Sequence, residues 1–184
     1  MVRLLDTTDW VQCSVHVPSP FICTHRQHLL PTWQTPPQSV IIILQRCTVS
    51  LTDCTTQTEH QKDLLRDRFL HIGAAIRHHL HTFGHDAEIF DPKSGHPIIS
   101  PPGPLHLDDV AVARQALQYA AHTRGVCTYL MHPQWKDAVY PATLVSDAPV
   151  TRVQAMLSTI VLSDEYPQTQ SSHLEALSTP THIQ

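Results

Sequence analysis

Glycine is scarce, with five in 184 residues. Backbone cradles for phosphate need glycine, and neither GxGxxG nor a P-loop pattern occurs, so no nucleotide site is written in the sequence. GxSxG is absent as well, which removes the setting of a nucleophile-elbow hydrolase. Basic residues are few and scattered: 12 Lys and Arg against 16 Asp and Glu give a formal net charge of −4. Nucleic acid and anionic membrane surfaces both call for clustered Lys and Arg, so neither is expected as a partner. The longest apolar run, Val40 to Leu44, is far too short to cross a bilayer. The opening MVRLLDTTDW lacks the apolar stretch of a secretory signal, and Asp6 and Asp9 are out of place in a mitochondrial transit peptide. Five cysteines (Cys13, Cys23, Cys47, Cys54, Cys127) form an odd set without CxxC spacing, which implies neither a disulfide framework nor a zinc ribbon. A reducing compartment fits best, and the expectation is a soluble, cytoplasmic protein without a membrane span.

What is present reads as one domain, since a chain of this length can bury about 70% of its unfolded surface without staples. Trp10 to Val17 (WVQCSVHV) alternates apolar and polar residues and predicts a half-buried strand. Pro18 and Pro20 break it, and a short helix is expected over His25 to Leu30. VIIILQR is dense in β-branched residues and predicts a central, buried strand. CTVSLTDCTTQT reads as either a strand or a loop. The clearest helix spans Thr58 to Gly84: Thr58 and Gln61 match a capping box, Leu65, Phe69, Ile72, Ile76, Leu80 and Phe83 form one apolar stripe, and Gly84 is a stop. DAEIFDP predicts a strand, and the Pro- and Gly-rich stretch after it a rigid turn and extended loop. A helix is expected over Asp109 to His122, strands over Val126 to Met131 and Ala138 to Val145, and a last helix from Pro149 to about Ile160. Residues 1–8 are read as an N-terminal segment and 9–160 as the domain. From 161 the composition turns to Ser, Thr, Gln, His and Pro, and predicts a disordered tail. Strands interleaved with helices predict an α+β sheet sandwiched by helices.

The stretch from Asp86 to Leu157 carries a resemblance. AEIFDPKSGHPIISPPGP, with Asp91-Pro92, Ser94-Gly95 and Pro102, is followed by Gly125, Cys127, His132 and Trp135 and by a strand into Ser146-Asp147-Ala148-Pro149. With WVQCSVHV, VIIILQRCTV and the Leu64–Gly84 helix before it, this ordered set resembles the methylmalonic aciduria and homocystinuria type D protein family over about Asp9 to Leu157. The resemblance implies a nitroreductase-like mixed sheet that has lost flavin and catalysis. It implies a non-enzymatic, intracellular adaptor in cobalamin (vitamin B12) trafficking, with a mitochondrial pool besides the cytoplasmic one. The implied partner is a type C cobalamin-processing protein (MMACHC-like) that holds the corrinoid. Cobalamin is then shared with that partner, not bound alone, and a cysteine thiolate ligates cobalt in the joint complex. Thiolate is a soft donor suited to that exchange.

Cys127 is the candidate for that ligand, although the known pattern has two adjacent cysteines after the glycine and this chain has Val126 and then Cys127. In a regular strand those two side chains point to opposite faces, and a bulge after Gly125 would bring Cys127 to the ligand face. Taken alone, Cys127 reads as a small core residue, and the other four cysteines read as structural. Asp108 and Asp109 fit N-capping of the next helix, or a partner contact, because they lead toward Cys127. Arg124 beside the cysteine is a further partner contact. Trp135 either caps the core or anchors the interface. Two rival classes are carried: a flavin-dependent nitroreductase-like enzyme, against which the scattered basic residues speak, and a histidine-rich metal binder. His78, His81 and His85 share one helix face, but Gly84 should end the helix before His85, and a solvated polar face is expected.

Overall fold

In the computed structural model, residues 10–53 and 55–162 are described. The first strand, β1 (Val11–His16), is the expected alternating segment and ends where Pro18 forbids further pairing. Ser19 then caps a short helix, α1 (Pro20–Thr24), by accepting the Ile22 amide, with Pro20 in the first turn. A second short helix, α2 (Arg26–Leu29), matches the expected one. VIIILQR lies in β2 (Ser39–Arg46), which is buried from Ser39 to Gln45. CTVSLTDCTTQT holds no strand among its described residues.

The long helix α3 (Thr56–Thr82) begins earlier than expected, because Thr55 caps it by accepting the Thr58 amide at 3.1 Å. Thr55 and Thr58 are both competent caps three residues apart. The earlier one adds a turn and buries Thr58, and Gln61 turns to the Thr48 hydroxyl at 3.2 Å. The stripe Leu65, Phe69, Ile72, Ile76, Leu80 is buried as read, but Phe83 sits at the C-cap and is 59% exposed. Gly84 ends the helix at φ +76, with the His85 amide reaching Leu80 O and the Gly84 amide reaching His81 O, a Schellman closure.

After β3 (Ala87–Ile89) and the proline-rich loop comes α4 (Asp109–Leu117). It stops five residues before the expected end. Gln118 adopts φ +59 and the following residues pair as β4 (Ala120–Arg124) with β5 (Cys127–Met131). Cross-strand pairing overrides the helix propensity of YAAHTR, because the strand can share β5's hydrogen bonds and a longer helix could not. The last elements are β6 (Val139–Ser146) and α5 (Val150–Leu162), the latter entered through Pro149 as expected. The tail from residue 163 on, the first nine residues and Cys54 lie outside the described residues.

The main sheet has the order β1-β2-β6-β3, and β4-β5 form a separate hairpin. The chain is thus α+β, with a helix-covered sheet as expected. The expected mixed sheet is corrected, however: all three pairings in it are antiparallel. β2 and β3 run in the same direction across the α3 crossover, but β6 returns between them, so no parallel neighbours remain. Ile41 and Ile43 face α3 and α5, meeting Phe69, Ile76, Val153 and Leu157. Val40, Ile42 and Leu44 face the other layer, with Ile22, Leu29, Val112 and Leu117. Both faces of β2 are therefore dry, which explains an apolar run in place of alternation in an antiparallel strand.

The open edge of β3 is closed by the loop after it. Glu88, 1% exposed, turns its carboxylate along that edge. Oε1 accepts the amides of Ile89, Ile98 and Ile99 (3.1, 3.1 and 2.9 Å) and Oε2 that of Ser100 (2.9 Å). One side chain thus does for the edge what a neighbouring strand would do.

Candidate functional site: a cleft beside the Cys127 hairpin

Gly125 and Val126 alone connect β4 to β5. Gly125 has φ +63, and a positive φ at the first of two turn residues suits a primed hairpin turn. Val126 is therefore the apex, fully exposed, and not a strand residue. The expectation of opposite faces, and of a bulge to undo it, falls away: Cys127 pairs squarely with Arg124 and is exposed. Alternation puts Cys127 and Tyr129 on one face of the hairpin, and Leu130, buried in the core, on the other. Arg124 Nη1 reaches Asp53 Oδ1 at 2.8 Å, tying the hairpin to the loop after β2. This exposed pair is worth little in stability, about 0–1 kcal/mol, and serves position more than energy.

Cys127, Thr128 and Tyr129 form one wall of a cleft of about 620 Å³. The first turns of α3, the Pro92–Gly95 turn, the start of α4, and Tyr140 with Pro141 of β6 complete it. The structure thus brings Cys127, Asp108 and Asp109 together. Asp108 is the expected cap, its Oδ1 accepting the Ala111 amide at 3.0 Å. Trp135 is placed elsewhere: it is 9% exposed, stacked on His132 at 4.1 Å between ring centroids and packed in the core, so of its two readings the core one holds. His132 organises that turn. Its Nδ1 accepts the amides of Gln134 and Trp135, which leaves Nε2 to donate to Gln12 Oε1 at 3.1 Å.

Lys62, Arg66 and Lys93 line the cleft, each in an ion pair: Arg66–Asp91 at 2.6 Å, Lys62–Glu59 at 2.9 Å and Lys93–Asp63 at 3.0 Å. Burial alone would raise the Asp91 carboxyl. The Arg66 guanidinium, the Lys93 amide and the Ser94 hydroxyl outweigh it and hold the group below the usual carboxylate range. The Tyr140 phenol is pushed up, chiefly by burial and next by Asp109.

Asp109 is the exception among these carboxylates. It is 8% exposed, faces no cation, and meets the buried Thr143 hydroxyl. Burial pushes its carboxyl up to about 8; the Thr143 hydroxyl opposes the rise, and Asp108 and Asp91 add to it. The folded state therefore binds a proton that the unfolded chain releases near the ordinary value of 3.8. Stability contributed by that proton is complete below 3.8 and is lost as pH rises toward 8. Urea midpoints measured across this window should fall with pH in the native protein, and Asp109→Asn should flatten the decline.

The remaining candidates stay apart. Cys13 and Cys47 are buried, and burial pushes the Cys13 thiol up to about 12. His78 and His81 are exposed, and His85 lies beyond the helix end, 3.3 Å from Asp147. Among the described residues no group of three or more His, Cys, Asp or Glu is arranged to hold a metal. None of the described helices is long and apolar enough to cross a membrane. Tyr129, Tyr140 and the Arg66–Asp91 pair were not singled out in the sequence. Their only trace there is the second face of the strands that carry Tyr129 and Tyr140, and the polar side of α3.

A family model described as methylmalonic aciduria and homocystinuria type D protein matches residues 3–158. No curated protein matches the chain. The matched span covers every described strand and helix except the last turn of α5. On that match the chain belongs to the methylmalonic aciduria and homocystinuria type D protein family and has its role in cobalamin metabolism.

Proposed function

We propose that this chain is a non-enzymatic adaptor in cobalamin trafficking, built on a nitroreductase-like scaffold that has given up flavin. It docks a corrinoid-loaded type C processing protein and offers the Cys127 thiolate to cobalt. The observation that carries this reading is the placement of Cys127: exposed, one residue from a fully exposed hairpin apex, at the mouth of the cleft. A donor held there can reach a metal carried by another protein. A cleft of about 620 Å³ is of the size that takes a drug-sized ligand, smaller than a corrin with its nucleotide loop, which favours a shared cofactor over one bound alone. Thiolate sulfur is a soft donor, and Cys127 would supply it to cobalt.

The test is to mix the protein with its processing partner loaded with cob(II)alamin and to record absorbance and EPR spectra. A new cobalt–sulfur signature is expected with the native protein. With Cys127→Ser the two proteins should still associate, with the signature lost. Spectra that do not differ between native protein and variant remove the thiolate step, and failure to associate at all removes the adaptor. A flavin absorption band in the purified protein would instead support the reductase reading.

A further inference from the structure

We infer that Arg124 and Asp53 are positioning residues: their ion pair straps the free end of the β4–β5 hairpin to the loop after β2, and so fixes where Cys127 stands at the mouth of the cleft. What Cys127 is positioned for rests on the adaptor reading; the strap itself does not.

The hairpin is held at its base and free at its tip. At the base Leu130 is 1% exposed in one core cluster, and Tyr129 packs against Cys47, Leu51 and Leu65 in another. Beyond them residues 122–128 are all exposed, on both strands and both faces. The ladder pairs this tip only with itself, and the Thr123 and Thr128 hydroxyls meet each other at 3.3 Å. No third strand lies beside β4 or β5, and an isolated two-stranded hairpin is marginally stable in water. Among the described residues, the hydrogen bonds that leave the tip for the rest of the protein all come from Arg124 Nη1. It donates to Asp53 Oδ1 at 2.8 Å and to Thr52 O at 3.4 Å.

The receiving loop is anchored, as a strap requires. Leu51 is 4% exposed, and its amide reaches Asp137 O at 3.4 Å. The Asp137 carboxylate accepts the Ser50 hydroxyl at 2.7 Å and the Thr52 hydroxyl at 3.5 Å. Asp137 in turn leads into β6, an inner strand of the main sheet. Asp53 therefore stands on a loop tied to the sheet, and Arg124 ties the tip to Asp53. Arg124 and Cys127 are direct cross-strand partners in the last rung of the hairpin, so a fixed Arg124 fixes the Cys127 backbone with it. The pair is exposed, 62% for Arg124 and 56% for Asp53, so salt screens it. An exposed pair shifts an equilibrium by no more than about fivefold, which is little for the whole fold. The tip, however, has no other hydrogen bond to the body to set against its loss.

Amide order parameters from nitrogen relaxation of the full chain read the tip without any partner. In the native protein residues 122–128 should hold values near the rigid-backbone level of about 0.85. In Arg124→Gln or Asp53→Asn they should fall toward about 0.6, with Tyr129 and Leu130 unchanged. Salt at about 1 M, where the screening length is about 3 Å, should do the same to the native protein and needs no variant. The charge-swapped double variant, Arg124→Glu with Asp53→Arg, should regain the native values, which a loss of packing could not. Single variants indistinguishable from the native protein, or a double variant no better than the single ones, overturn the strap. With the processing partner loaded with cob(II)alamin, the cobalt–sulfur signature should weaken about two- to fivefold in the single variants and recover in the swap. A full signature in Arg124→Gln overturns the positioning of the thiol. No signature from the native protein removes the thiolate reading instead, and the relaxation measurement still decides the strap.

Discussion

Glu88→Ala is expected to cost the protein about 4 kcal/mol or more, since each buried donor left without a partner costs about 1–3 kcal/mol. Four amides converge on this carboxylate. The Ile98 amide has a second acceptor in Ile89 O at 3.0 Å, so the loss falls mainly on Ile89, Ile99 and Ser100. Native stability is only about 5–15 kcal/mol, so the variant should sit near the edge of folding. A drop in Tm of roughly 10 °C or more is the corresponding signal in a thermal melt. Glu88→Gln keeps one acceptor oxygen and turns an amide donor toward the other amides, so it should fall between the two. A melt of Glu88→Ala within a degree or two of the native one would mean that the loop finds other acceptors and that this carboxylate is dispensable.

Gly103→Ala is the second large effect, and its cause is steric. A Cβ at Gly103 would run into the carbonyl oxygen of His28 and lie 2.6 Å from its carbon, with Pro31 also in contact. That carbonyl accepts the Leu105 amide at 3.1 Å, so it cannot move without losing the bond that seats the loop on α2. Backbone against backbone leaves no side chain to swing aside, and a cost of about 3 kcal/mol or more is expected, at the upper end for overpacking. Gly125→Ala is the fitting comparison, because a Cβ there meets nothing within 4 Å and only its positive φ opposes the change. It should cost about 1 kcal/mol, the left-handed penalty alone. Denaturant curves of the two variants side by side would show a clear gap, and equal midpoints would refute the steric account.

These two sites also mark where the sequence could be read and where it could not. Periodicity named the apolar stripe of α3 and the strand β2 because burial repeats at a spacing the backbone imposes. The end of α4 escaped because YAAHTR has no breaker, and only its pairing with β5 makes it a strand. The position of Cys127 followed from the resemblance. Its exposure did not, because a two-residue turn and a bulged strand share the same letters until the register is known. Glu88 reads as a polar residue on the outward face of a short strand, yet it is among the most buried side chains. Four donors brought in from residues 89 and 98–100 make that burial affordable, and no local pattern records them. Asp109 looked like an ordinary helix-start acid. That it is buried without a base stands out only once three neighbouring acids are seen to be matched with bases.

The return of β6 between β2 and β3 has a consequence for how the polypeptide matures on the ribosome. Once residue 90 has been synthesised, β2 and β3 exist but have no contact to share, because the strand that joins them lies at 139–146. Most of the chain must emerge before the sheet can close, and until then the oily flanks of β2 stand open to chaperones or to other nascent chains. A chain cut just before Val139 lacks the strand that joins β2 to β3, so the four-stranded sheet cannot form.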